Sequence, residues 1–269
     1  MTRTLTAWTL FLLATAHARA QSSLPPILRE VRFDQKLNEQ VPLDLSFNDE
    51  DGHPVKLQDY CKDKPVILVL AYFRCPMLCT QVLNALDRSL ETMPLEIGKD
   101  FNVVTVSIDP TDTPRLAEVK QALYTGMYNR PGAQHGWHFL TGQDPQIKQL
   151  ADAVGFRYAY DPDSHQYAHA SGIMVLTPDG KISRYCYGIE YKPKDLRLGL
   201  VEASQDKIGN LADQVLLFCF HYDPMTGKYG LIIANVTRVL ASASVLALGG
   251  MIFFFLRKER QANHHGRPV

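Results

Sequence analysis

The chain has no excess charge of either sign: 28 lysines and arginines face 28 aspartates and glutamates. No basic stripe concentrates the positive ones, so a nucleic-acid partner is not expected. Internal repeats and low-complexity tracts are absent, which argues against a solenoid and against a disordered body. Cysteine is scarce, five residues in 269, and an odd number cannot pair completely. No two cysteines stand at Cys-x2-Cys spacing. The pattern fits no zinc ribbon, and no Cys-x-x-Cys-His sequence is available to attach haem.

Two long apolar runs stand near the ends. Arg3 precedes the apolar segment Leu5 to Ala16, followed by Ala18-Arg19-Ala20. This is the pattern of a secretory signal peptide, residues 1–20, with cleavage expected after Ala20. From Val239 to Leu256 eighteen residues carry no charge. They rise about 27 Å as a helix, and the upstream turns from Leu231 complete a hydrocarbon core of roughly 30 Å. Arg257, Lys258 and Arg260 then form a basic flank of the cytoplasmic type. The expected organisation is an extended lead-in at 21–40 and a folded domain at 41–210. A juxtamembrane segment at 211–230, a transmembrane helix at 231–256 and a basic tail at 257–269 follow. The expected location is a bacterial inner membrane, crossed once, with the body on the periplasmic side.

Within the body, Leu43 to Phe47 alternates, Asn48 to Gly52 has turn chemistry, and Val55-Lys56-Leu57 resumes, which predicts a β-hairpin. Pro65 to Tyr72 and Phe101 to Ile108 have the length and β-branched content of buried strands. Thr80 to Met93 places Val82, Leu83, Leu86 and Leu90 at helical spacing. The turn Asp109 to Pro114 caps a helix running to about Met127. A short strand at His138–Leu140, a helix at Asp144–Val154, strands at Gly172–Leu176 and Lys181–Tyr187 around Pro178-Asp179-Gly180, and a helix at Lys194–Ile208 complete the series. Strands alternating with helices and ending in an antiparallel hairpin predict an α/β fold, thioredoxin-like, with an N-terminal β-hairpin extension.

The chemistry-bearing stretch is Arg74-Cys75-Pro76-Met77-Leu78-Cys79, directly after the first buried strand. On a helix, residues four apart share a face with β-carbons about 5–6 Å apart. The two sulfurs are therefore expected to point at one place. A helix N-terminus and the neighbouring Arg74 are expected to favour the thiolate form. Two thiolates and an imidazole make a soft site suited to copper, or to zinc with a fourth ligand. Of nine histidines the third ligand is expected to be His169, in the loop before the hairpin strand, with His165 next in order. His138 is expected to be packed in a strand, His135 beside it carries no assignment, and His53 is expected to be exposed. Cys61 and Cys186 read as small buried hydrophobes. Cys219 and His221, two apart, would share a face on a strand and could grip a metal, or could simply pack at the membrane border.

The combination of CPMLC after a strand, SIDPTDTP after the next, WHFLTG, and a histidine before a strand ending in Pro-Asp-Gly resembles the Sco/SenC family. The resemblance covers roughly Val41 to Lys207. It implies a membrane-tethered copper protein, handling Cu(I) and Cu(II), that serves the cytochrome c oxidase subunit carrying the binuclear copper centre. It also implies Cys75, Cys79 and His169 as metal ligands. Asp109 is similar to a family aspartate near the site; a turn-forming, helix-capping role accounts for it equally well. The C-terminal anchor departs from the family pattern, as does the Cys219/His221 tail. The same fold also supports a thiol–disulfide oxidoreductase or a redox sensor using Cys75 and Cys79 as its redox pair, and dependence on His169 separates copper ligation from disulfide exchange. A peroxiredoxin-like peroxidase is disfavoured because Ala71-Tyr72-Phe73-Arg74 stands where its Pro-x3-Thr-x2 approach would be.

Overall fold

A computed structural model describes residues 27, 30–208, 222–223, 228–229, 241–246, 248–251 and 254. The predicted hairpin forms as β2 (Ser46–Asn48) and β3 (Pro54–Lys56), paired antiparallel. Ahead of it β1 (Arg32–Phe33) emerges from the expected lead-in. The central strand β4 (Val66–Ala71) is buried at every position, as its unbroken apolar run requires. It pairs in parallel with β5 (Asn102–Ser107), which pairs in parallel with β6 (Trp137–Leu140).

Parallel neighbours need crossovers, and helices supply them. Helix α1 (Leu78–Glu91) links β4 to β5, and α2 (Pro114–Tyr128) links β5 to β6. Val82, Leu83, Leu86 and Leu90 are all buried, as their spacing predicts. The Thr113 hydroxyl accepts the Leu116 N–H and Pro114 opens α2, so the 109–114 turn does begin a helix. After α3 (Asp144–Ala153) the chain makes β7 (Phe156–Asp161), β8 (Gln166–His169), β9 (Gly172–Leu176), β10 (Ile182–Tyr187) and α4 (Pro193–Ala203). The main sheet has the order β10-β9-β4-β5-β6, with β9 antiparallel to both β4 and β10. This is the expected mixed α/β architecture.

The hairpin β7–β8 is a finding the sequence pattern did not predict. With β1 it forms a separate three-stranded sheet, β1-β7-β8. It is held by aromatic pairs of unequal burial: the exposed Tyr160 packs on Tyr167 at 5.1 Å, and Phe33 packs on the buried Phe156 at 5.2 Å. Alternation of aromatic with charged or small residues hides such a strand from a hydrophobic-run criterion. One correction follows. His169 is not in a loop but is the last residue of β8, facing Tyr158 of β7.

Asp87 is the charged exception on the buried face of α1. It is 1% exposed, and its Oδ1 has no hydrogen-bond partner. Burial, helped by the nearby Glu91 charge, raises its carboxyl from 3.8 to about 6. A carboxylate raised on folding contributes stability below its unfolded pKa and loses it as pH rises through the folded one. Asp87→Asn is expected to raise unfolding free energy at pH 7 by about 1 kcal/mol, the gain vanishing near pH 4. Urea denaturation across that range measures it.

The signal segment 1–20, Cys219, His221 and the tail 257–269 lie outside the described residues. In the juxtamembrane segment the backbone of Tyr222–Asp223 pairs antiparallel with Lys228–Tyr229. The expected span 231–256 is described only at 241–246, 248–251 and 254, which are helical. Among the described residues no helix is long and apolar enough to cross a membrane.

Candidate metal centre

Strand β4 ends at Ala71, and the chain turns before α1 begins. The Cys75 N–H donates to the Tyr72 carbonyl at 3.2 Å, closing that turn. Cys75 therefore precedes the helix, while Cys79 lies in its first turn. The two cysteines do not share a helical face, as i,i+4 geometry predicted. They meet because the Cys75 sulfur accepts the Cys79 N–H at 3.3 Å, satisfying one of the donors left unpaired at a helix N-terminus. The Cys79 sulfur in turn accepts the Tyr72 N–H at 3.5 Å.

His169 arrives from β8. Its Nδ1 lies 2.9 Å from the Ala170 carbonyl and its Nε2 3.0 Å from the Cys79 sulfur. A carbonyl can only accept, so Nδ1 carries the proton and the Nε2 lone pair faces the sulfur pair. The ring is buried and stands edge-on to Tyr72, with centroids 6.0 Å apart. The two sulfurs and a ring nitrogen of His169 all lie within 4.8 Å of one another. Ligands held about 2.0–2.3 Å from one ion are separated by about 3.3–4 Å, so small adjustments admit it.

The two thiols are electrostatically unlike. The hydrogen bond from the Cys79 side chain, with those from the N–H groups of Cys79 and Met77, holds the Cys75 thiol well below its usual range. Burial, reinforced by the Cys75 charge, pushes Cys79 up. The thiolate form expected of both sulfurs is favoured at Cys75 and disfavoured at Cys79. Arg74 does not contribute. Its guanidinium turns away, donating to the Thr111 hydroxyl and carbonyl at 3.1 and 2.9 Å.

Asp109 does not join the cluster. Its Oδ1 accepts the Thr111 N–H and hydroxyl at 2.9 and 2.7 Å, the arrangement of a turn residue. Even so, it lines a cleft of about 530 Å³ together with Tyr72, Arg74, Pro76, Tyr160 and Tyr167. His165, at the exposed hairpin tip, sits against the Tyr160 hydroxyl at 3.1 Å rather than with the sulfurs. His138 is half-buried against Tyr60, and His53 is exposed, both as expected. His53, Asp49 and Asp51 also converge, but in an exposed turn tied by N–H donation to the Asp49 carboxylate. Cys61 and Cys186 are unpaired thiols raised by burial to about 12 and about 11. One residue escaped the sequence reading. Asp112, inside the SIDPTDTP run, lies buried behind the cysteine-bearing turn and accepts the Phe73 N–H at 2.8 Å.

Comparison with known proteins gives one consistent result. The family model described as SCO1/SenC matches residues 34–203. A protein described as a SCO1 protein homolog in Bacillus subtilis is 25% identical over 157 residues, which is 56% of this chain and 76% of that one. Among solved structures, a putative electron transfer protein from Aquifex aeolicus is 26% identical with a TM-score of 0.56, covering 64% of this chain and 96% of the other. The structure of Arabidopsis thaliana ScoI with copper bound is 22% identical with a TM-score of 0.49, covering 60% and 96%. With the family model spanning well over half its length and the paired cysteines and histidine at one point, the chain belongs to the SCO1/SenC family.

Proposed function

We propose that this protein binds copper at Cys75, Cys79 and His169. It delivers the ion to, or matures, the copper site of a respiratory cytochrome c oxidase, the partner being the subunit with the binuclear copper centre. The observation that carries the proposal is the convergence of two sulfurs and the Nε2 lone pair at the end of β4. Thiolates suit Cu(I), and the imidazole extends the site to Cu(II). Copper is the cargo here. The protein's own buried groups hold it, and the neighbouring cleft lined by Tyr72, Pro76 and Tyr167 is where a partner's ligands would approach. Asp109 on that cleft, and Cys219 with His221 in the tail, are accessory groups in this reading.

The protein acts from the periplasmic side of a bacterial inner membrane, anchored by residues 231–256. That placement is supported by the signal-like start, the uncharged run Val239–Leu256 and the basic flank after it. The exposed Leu246 and Phe254 side chains suit a lipid-facing helix. Anaerobic copper titration of the full chain in detergent is expected to give one equivalent bound, with sulfur-to-Cu(II) charge-transfer absorption after oxidation. Protease added outside intact spheroplasts should digest the body. A chain that binds no copper, or a body protected from protease, sinks the corresponding half of the proposal.

A second reading has one observation in its favour. A depressed thiol at Cys75 beside a raised one at Cys79 is the asymmetry of a nucleophile and a resolving thiol. On that reading the pair keeps a partner's cysteines reduced.

A further inference from the structure

The Cys75 turn is the least regular part of the centre. No helix or strand holds it, yet the ligand geometry needs its sulfur fixed within a few tenths of an ångström. Asp112 stands directly behind it. Its side chain is wholly buried, and Oδ2 accepts both the Phe73 N–H at 2.8 Å and the Ser107 hydroxyl at 2.7 Å. Its Oδ1 faces the Arg74 guanidinium, with Nε at 3.5 Å. Ser107 ends β5, and its hydroxyl also accepts the Asp109 N–H at 3.1 Å. One carboxylate therefore joins three pieces: the residues just before Cys75, the end of β5, and the Asp109–Thr113 turn. It is not spent on starting α2, because Thr113 performs that role.

Burying a carboxylate is costly unless its partners are fixed. Burial does raise its pKa, against the hydrogen bonds from Ser107 and Phe73. The fold keeps it at the one place where it restrains both residues preceding Cys75, Phe73 through its backbone and Arg74 through its side chain.

We infer that Asp112 is a positioning residue of the metal centre, whose buried carboxylate locks the turn before Cys75 so that the sulfur faces Cys79 and His169. The inference rests on the proposed copper site for its main readout. Asp112→Ala leaves the Phe73 N–H without a partner and frees the turn. Copper affinity, measured by competition with a chromogenic Cu(I) chelator on the full chain in detergent, should fall about 10–100-fold, the range for lost outer-sphere support. The Cu(II) charge-transfer band should broaden or shift. Asp112→Asn keeps an acceptor for Phe73 and Ser107, so it should stay within about 3-fold of wild type.

Ser89→Ala serves as the control for general destabilisation. It removes a buried hydroxyl that bonds the Ala85 and Tyr191 carbonyls, in the second half of α1. It should leave affinity and spectrum unchanged. A metal-free readout separates this inference from the copper proposal. In equilibrium with oxidised dithiothreitol, the Cys75 thiolate and the Cys79 thiol give up two electrons and one proton to form their disulfide, and the reagent takes these and a second proton from solvent to become its dithiol. A freed turn should shift that equilibrium constant by about 10-fold even if wild type bound no copper. Wild-type affinity, spectrum and thiol equilibrium in Asp112→Ala would overturn the inference. So would equal losses in Ser89→Ala, or an asparagine variant no better than alanine.

Discussion

His169→Ala is expected to lose copper affinity by about 100-fold or more and to lose the wild-type Cu(II) spectrum, while its two cysteines still form a disulfide. The reason is geometric. Among the described residues Nε2 is the side-chain nitrogen that joins the sulfur pair, and its direction is set because Nδ1–H is committed to the Ala170 carbonyl. The ring cannot rotate freely between Tyr72 and Phe156. Without it, two sulfurs still hold Cu(I) weakly, but the borderline nitrogen that lets the site accept Cu(II) is gone. Cys75→Ser and Cys79→Ser should cost at least as much and should abolish the disulfide as well. The comparison therefore separates the two activities. Oxidase copper content in cells carrying His169→Ala should fall if copper delivery is the task. If it stays at the wild-type level while Cys75→Ser abolishes it, thiol exchange is the task. Competition with a Cu(I) chelator and paramagnetic resonance of the oxidised form provide the direct readings. An unchanged spectrum in His169→Ala would remove His169 from the ligand set.

Much of this centre was legible in the chain itself, and the limits were physical. Strand β4 declared itself because a strand buried on both faces must be apolar throughout, and Val66 to Ala71 is. Helix α1 followed from the spacing of Val82, Leu83, Leu86 and Leu90. His169 was identified correctly as the histidine near the cysteines but placed in a loop. Its strand is stabilised by tyrosine pairs across half-exposed faces, which no burial pattern announces. Shared helical geometry was the wrong reason for the meeting of Cys75 and Cys79. The helix begins between them, and a backbone N–H brings the first sulfur onto the second residue. Arg74 shows the same limit, since adjacency in sequence says nothing about direction, and Thr111 and Asp112 capture its guanidinium. Asp112 itself was in view within SIDPTDTP. Only the fold reveals that its carboxylate reaches back 39 residues to Phe73.

The unlike thiols lead to the second large effect. With Cys75 held as a thiolate and Cys79 held as a thiol, copper binding at pH 7 should release about one proton per ion, not two. Apparent affinity should then rise about 10-fold per pH unit between pH 7 and 8.5, the slope of a single competing proton. Calorimetric titration in buffers of different ionisation enthalpy counts the protons directly. Cys79→Ser should weaken binding and remove most of the release, whereas Cys75→Ser should weaken binding and leave it. The same asymmetry governs reactivity. In the metal-free protein, iodoacetamide should modify Cys75 at pH 5, where an ordinary thiol is almost wholly protonated, and should spare Cys79. Stability follows the same sign. A depressed Cys75 contributes to folding at alkaline pH and loses that contribution as pH falls toward its folded value. A raised Cys79 contributes at low pH and loses it as pH climbs past the ordinary thiol range. Release of two protons, or preferential alkylation of Cys79, would mean that the hydrogen bonds at the start of α1 do not set the order in which the two sulfurs act.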